Sequence, residues 1–202
     1  MICIVDYGLG NLSSIKNMFK HIGIRDVKIT SDKDELVKAD KIILPGVGAF
    51  DNGMQHLKKY DLIDVLNRKA LIEKVPFLGI CLGMQLMTNG SEEGKEKGLA
   101  WFDADTKKFE LPKGYKVPHM GWNYVKAKKN ENALLIQDIK YRFYFVHSYY
   151  VKCNNSDDVL FETKHGINFH SAIQKDNIIG MQFHPEKSLK FGMDIFSQFA
   201  KL

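Results

Sequence analysis

Cys81 lies in Phe77-Leu78-Gly79-Ile80-Cys81-Leu82-Gly83-Met84-Gln85, where an apolar, strand-like run passes into a helical pattern and a glycine stands two residues to either side of the thiol. This is the cysteine counterpart of the Gly-x-Ser-x-Gly elbow, in which small flanking residues let the chain reverse sharply and hold a nucleophile on a strained, exposed turn. A helix beginning there favours thiolate over thiol through its partial positive charge. Its free backbone N–H groups can also stabilise an oxyanion beside the sulfur. Cys3 and Cys153 have no such setting and read as small buried side chains.

A thiol nucleophile needs a base. Ile178-Ile179-Gly180-Met181-Gln182-Phe183 reads as a buried strand that delivers His184-Pro185-Glu186 at its tip. In open parallel sheets the functional crevice lies outside the carboxyl ends of the strands, and Cys81 and His184 both fall just past such ends. An imidazole with an ordinary pKa near 6.5 can accept the thiol proton, and a carboxylate two residues on can fix its tautomer and stabilise the imidazolium. Pro185 fixes one backbone angle between the two. His21, His56, His165 and His170 read as surface or hydrogen-bonded core residues, while His119 and His147 stay open. No metal or other cofactor is expected: there is no Cys-x-x-Cys pair, and His165 and His170 have no third ligand at a usual spacing.

Ile42-Ile43-Leu44-Pro45-Gly46-Val47-Gly48-Ala49-Phe50 ends another strand in Pro-Gly-x-Gly, which lets the backbone approach a ligand closely. Neither the dinucleotide fingerprint nor the phosphate-loop pattern with its Lys-Ser/Thr is present. An ordinary strand-end loop and a backbone oxyanion donor both remain open. Beside a cysteine elbow that needs a second donor, an N–H near Val47 or Gly48 is the simpler use.

Gly79-Ile80-Cys81-Leu82-Gly83-Met84-Gln85 together with His184-Pro185-Glu186 resembles the class I, or triad, glutamine amidotransferases. The resemblance implies that Cys81 attacks the carboxamide of glutamine, that His184 shuttles protons and that Glu186 orients His184. It also implies oxyanion N–H groups from Val47, Gly48 and Leu82, and substrate seating by Gly48 and Gln85. Further segments are similar to one branch of that family, the free-standing glutaminase subunits of histidine biosynthesis. They are Val5-Asp6-Tyr7-Gly8-Leu9-Gly10-Asn11-Leu12, Leu44-Pro45-Gly46-Val47-Gly48-Ala49-Phe50, Val117-Pro118-His119-Met120-Gly121-Trp122-Asn123 and Tyr144-Phe145-Val146-His147-Ser148-Tyr149, with His184-Pro185-Glu186-Lys187-Ser188. That branch implies a heterodimer with a (β/α)8-barrel cyclase, which uses the ammonia to make imidazole glycerol phosphate and an aminoimidazole carboxamide ribonucleotide. It also implies that Asn11, Tyr144 and Lys187 lie at the subunit interface, where nucleotide binding on the partner switches the glutaminase on. Residues 98–104 and 187–192 look closer to paralogues that supply ammonia for surface-polysaccharide and acetamidino-sugar synthesis, with the same triad chemistry. Two rival readings are a thiol hydrolase or peptidase sharing the elbow, and a non-catalytic binding module of the same fold.

The elements needed to position these residues are visible in the apolar periodicity. Residues 2–5, 27–30, 41–44 and 76–80 read as strands. Helical patterns follow them: Leu12, Ile15, Phe19 and Ile22 behind a cap at Asn11 or Ser13 and stopped by Gly23; residues 31–39; residues 51–74 with a break near Tyr60-Asp61; and a helix from Cys81 or Leu82. This alternation predicts an α/β fold with a mostly parallel central sheet covered by helices on both faces. From Leu99 the pattern turns β-rich, over residues 101–109, 122–126, 141–152, 159–163, 167–174 and 178–183, which predicts additional antiparallel strands. A closing helix is expected to bury Leu189, Met193, Phe196 and Ala200. Residues 91–97, rich in charge, are the expected mobile loop.

The chain has 202 residues, 45% hydrophobic and 26% charged, which suits one domain spanning 1–202 and leaves any multistep chemistry to a partner chain. Its 29 Lys and Arg against 24 Asp and Glu give a net charge of +5, but the signs alternate along the chain, so no nucleic-acid surface is expected. No apolar run approaches the length of a membrane span. Three widely spaced cysteines and no secretory segment predict a reducing, cytoplasmic setting.

Overall fold

A computed structural model describes residues 1–128, Leu134 and residues 140–202. Strands and helices alternate through the first half as β1 (Ile2–Val5), α1 (Leu12–His21), β2 (Val27–Thr30), α2 (Lys33–Val37), β3 (Lys41–Gly46), α3 (Phe50–Lys59), α4 (Ile63–Asn67), β4 (Phe77–Cys81) and α5 (Leu82–Leu86). The second half supplies β5 (Ala104–Lys108), β6 (His119–Tyr124), β7 (Lys126–Ala127), β8 (Arg142–His147), β9 (Tyr149–Cys153), β10 (Val159–His165), β11 (Ile167–Lys175), β12 (Ile178–Met181) and α6 (Leu189–Lys201). The sheet runs β2-β1-β3-β4-β12-β11-β10-β7. Its first five strands are parallel and the remainder antiparallel. β9 pairs with β11 and β5, and β6 with β8 forms a separate antiparallel ribbon.

The expected α/β architecture is therefore present, and the side-chain alternation explains it. Cys3 and Val5 face one core and Ile2 and Ile4 the other. A strand buried on both faces must read as a continuous apolar run, as β1 and β3 do. Helices α2 to α5 cover the first face, with Leu36, Phe50, Leu57, Leu66 and Leu86 packed inward, and α1 with α6 covers the second through Ile15, Phe19 and Phe196. Asn11 takes the N-cap position of α1 without a side-chain capping bond. Gly23, at φ 84°, ends that helix by donating to the Lys20 carbonyl. The break in the third helical pattern falls at Asp61, φ 54°.

Two expectations need correction. In α6 the buried positions are Gly192, Ile195, Phe196 and Phe199; of the expected stripe Phe196 is buried and Ala200 is partly buried against the same core, while Leu189 is not. Leu189 is 67% exposed, and Gly192 sits against the Pro185 carbonyl, where no side chain fits. Residues 91–97 are tied to both ends of α3. The Asp51 carboxylate accepts from the Lys95 and Glu96 N–H groups, Glu93 Oε2 accepts from the Phe50 N–H at 2.8 Å, and Lys58 pairs with Glu96. Among the described residues no helix is long and apolar enough to cross a membrane.

Candidate active site

Three neighbouring parallel strands end together. Gly46 of β3 lies opposite Cys81 of β4, and Met181 of β12 lies opposite Ile80. The Pro45–Gly48 turn, the thiol and the segment carrying His184 thus emerge side by side at the carboxyl edge of the sheet. Val47, Gly48, Cys81, Leu82, Gln85 and His184 line one cavity of about 490 Å³, the size of an ordinary small-molecule site.

Cys81 has φ 55° and ψ −110°, a conformation strained for any residue with a Cβ, and is 8% exposed. The backbone strain of the elbow sits on Cys81 itself. Gly79 and Gly83 serve the turn through their size and not through a positive φ, which neither has. They supply room: a Cβ on Gly79 would lie 2.5 Å from Met87 Cε and 2.8 Å from the Gly83 oxygen, and one on Gly83 would overlap the Leu44 carbonyl. The two glycines let α5 sit directly against β3 and β4.

His184 is 1% exposed, and its Nδ1 is 2.8 Å from Glu186 Oε1, whose side chain is equally buried. A carboxylate can only accept, so Nδ1 carries the hydrogen. Nε2 is buried and outside hydrogen-bond geometry with any described group, the looser arrangement common in ligand-free sites. Burial works against charge on the ring, but the neighbouring Cys81 sulfur and the Glu186 carboxylate outweigh it and raise the His184 pKa to about 10. The backbone is held as firmly. The His184 N–H donates to the Tyr144 carbonyl at 2.9 Å, and Ser188 Oγ donates to the His184 carbonyl at 2.6 Å.

The remaining expected residues are placed as follows. Val47 is 40% exposed, Gly48 has φ 99° with open space around it, and Leu82 is the first residue of α5; all three border the thiol's cavity. Lys187 also borders it, with Nζ 5.9 Å from the Tyr144 ring centre. Asn11 does not line the cavity; it starts α1, the helix that packs beside the turn Pro185–Lys187. Gln85 lines the cavity, but its amide is committed elsewhere, donating to the Tyr149 carbonyl at 3.2 Å and to Gln182 Oε1 at 3.1 Å.

Several participants escaped the sequence reading. Glu93 brings a carboxylate to the cavity, and His147 brings a ring. His147 Nδ1 donates to the Tyr149 carbonyl at 2.7 Å, and its Nε2 is 3.0 Å from His119 Nδ1. Burial lowers His147 to about 3 and His119 to about 4, so the pair is neutral. Cys3 and Cys153 are buried free thiols, and burial pushes Cys153 up to about 12. Among the described residues no cluster of three or more His, Cys, Asp or Glu could hold a metal ion.

The profile of the class-I glutamine amidotransferases matches residues 3–201, and the chain belongs to that family. Its relatives include a Methanococcus maripaludis protein named imidazole glycerol phosphate synthase subunit HisH 2, 55% identical over all of this chain and 99% of its own length. A Pseudomonas aeruginosa protein of the same name is 46% identical with both chains fully covered, and a Leptospira interrogans protein named imidazole glycerol phosphate synthase subunit HisH is 42% identical, again over both full lengths. Among solved structures, a glutamine amidotransferase superposes with TM-score 0.77 at 15% identity, covering all of this chain and 98% of that one. PurLQS from Thermotoga maritima gives 0.74 at 16% identity, covering 99% of this chain and 97% of that one. These structures share the fold.

Proposed function

We propose that this chain is the glutaminase subunit of an imidazole glycerol phosphate synthase, one glutamine amidotransferase domain over residues 1–202 that releases ammonia from glutamine for a (β/α)8-barrel cyclase. The observation that carries the reading is the strained Cys81 elbow sharing one cavity with His184, which the buried Glu186 carboxylate holds. End-to-end similarity to relatives of that name supports it.

In this mechanism the Cys81 thiolate adds to the amide carbon of glutamine, forming a C–S bond and moving the carbonyl electron pair onto oxygen. Backbone N–H groups of Val47 or Gly48 and of Leu82 hold that oxyanion. His184, as imidazolium, passes its Nε2 proton to the departing nitrogen as the C–N bond breaks, leaving ammonia and a glutamyl thioester. Acylation removes the sulfur charge that helps keep the ring protonated, so His184 becomes the base for the next step. It takes a proton from water while the oxygen adds to the thioester. Breaking the C–S bond then frees glutamate and restores the thiolate–imidazolium pair. Glu186 fixes the ring's tautomer throughout.

Glu93 is the acidic group at the cavity, suited to the α-ammonium of glutamine. Glu93→Gln is expected to raise KM for glutamine about tenfold with little change in kcat, the signature of lost uniform binding. Steady-state kinetics checks this, and an unchanged KM removes Glu93 from substrate recognition.

Asn11, Tyr144 and Lys187 are proposed interface residues. The test of function is glutamate release by the chain alone, then with a histidine-pathway cyclase from the same source and its nucleotide ligand. Strong activation is the expected result. Flat activity, with Cys81 still labelled by a glutamine-like electrophile, would instead assign the ammonia to sugar amidation through a different partner.

A further inference from the structure

We infer that Gln182 is a further catalytic residue: its side-chain amide donates a hydrogen bond to the Cys81 sulfur, and Gln85 is the positioning residue that decides which end of that amide faces the thiol. The inference rests on Cys81 being the nucleophile of the proposed reaction.

Gln182 reaches the sulfur because of where β12 ends. Its backbone N–H donates to the Ser171 carbonyl at 2.9 Å, which extends the β11–β12 pairing past Met181. Phe183 stacks on Phe143 at 3.9 Å, and Gln182, which follows the Met181 paired with Ile80, stands beside Cys81 at the end of the neighbouring strand. Gln182 is 0% exposed, and its Nε2 is 3.8 Å from Cys81 Sγ.

The amide's orientation follows from its neighbours. The Tyr149 carbonyl can only accept, so the Gln85 atom facing it at 3.2 Å is the nitrogen. That nitrogen's second hydrogen points at Gln182 across 3.1 Å, where it needs an acceptor, and so Gln182 presents Oε1 to Gln85. Nε2 of Gln182 must then face the sulfur. A thiolate accepts an N–H far better than a thiol does, so the bond favours the ionised nucleophile. The same donor receives the sulfur as a leaving group when the thioester breaks down. Stabilising a thiolate reduces its intrinsic nucleophilicity only fractionally, with a Brønsted slope of about 0.4–0.5, so the gain in ionised fraction dominates below the thiol's pKa.

Other groups also face this thiol. They are His184 backed by Glu186, the Tyr7 hydroxyl from the loop after β1, and Glu93, His147 and Lys187 around the cavity. Gln182 makes no hydrogen bond to any of these groups, so changing it isolates the contribution of the amide, whereas Gln85 shares the Tyr149 carbonyl with His147.

The experiment measures iodoacetamide alkylation of Cys81 against pH on the full chain, followed by mass spectrometry of the Cys81 peptide, with thermal unfolding as the fold control. Wild type is compared with Gln182→Met, Gln182→Glu and Gln85→Met. The acidic limb of the profile is expected to move up by about one pH unit in Gln182→Met, making alkylation there about tenfold slower. It should move further in Gln182→Glu, which keeps the side-chain shape and the bond from Gln85 but puts a carboxylate beside the sulfur. In Gln85→Met, where the amide is free to turn, the expected shift is smaller and in the same direction. A purely structural pair would leave the limb unmoved, and superposed profiles in the folded variants overturn the inference. Alkylation needs no glutamine, so a shift without glutaminase activity would remove only the proposed function, and superposed profiles with full activity would remove only the role of Gln182.

Discussion

Cys81→Ala is expected to lower glutamate release from glutamine by at least about 10⁴-fold, with the thermal midpoint close to that of wild type, because the variant loses the atom that forms the thioester while keeping the surrounding packing. Near-normal turnover would sink the assignment of the nucleophile. The same variant carries a second, independent readout. The His184 pKa is raised from 6.5 to about 10 by the sulfur and the Glu186 carboxylate against the opposing effect of burial, so deleting the sulfur removes one of the two supports. The ring should then titrate well below the wild-type value by NMR. A ring that titrates at the same pH in both proteins would mean that Cys81 does not set the charge of His184.

The grouping of Cys81, His184 and Glu186, the proposed triad, was legible in the sequence because each of them leaves a local trace. Two glycines bracket Cys81, and His184 and Glu186 stand within one turn after an apolar run. The positions of the strands were legible for the same reason, since double-sided burial forces continuous apolar segments such as Ile42-Ile43-Leu44. Gln182, Ser188, Glu93 and the His119–His147 pair were not. Their roles depend on which strands and loops become neighbours, and nothing at position 182 announces that β12 will lie beside β4, about a hundred residues earlier. The face of α6 was misread because Leu189, Met193, Phe196 and Ala200 also fall on a helical stripe, and the residue that sets the true face, Gly192, has no side chain to show in a hydrophobic pattern. Residues 91–97 were misread because their charges suggested a solvated loop, whereas Glu93 Oε2 and the Lys95 and Glu96 N–H groups are engaged in bonds to the start of α3.

Gly83→Ala tests how the elbow is built. A Cβ there would overlap the Leu44 carbonyl oxygen, with the carbonyl carbon 2.9 Å away, and both partners are backbone held in adjacent elements. No rotamer change can relieve the clash, so α5 must move away from β3. Overpacking of this kind costs about 3 kcal/mol, the upper end of the usual range. For a domain of this size that lowers the thermal midpoint by about 6–12 °C. Activity should suffer beyond the loss of stability, because Cys81 turns directly into α5 and Leu82 supplies a proposed oxyanion N–H from its first turn. A displacement of about 1 Å at reacting groups can reduce turnover about 10²-fold, and this loss should persist well below the melting temperature. Gly90→Ala is the control: the nearest atom to its Cβ would be 3.7 Å away, an ordinary contact, so both midpoint and turnover should stay near wild type. If Gly83→Ala were equally silent, the spacing between α5 and β3 would not govern the nucleophile. If it lowers turnover and midpoint together while Gly90→Ala lowers neither, the position of the thiol and the packing of the helix behind it are one structural variable, and the bracketing glycines are there to set its value.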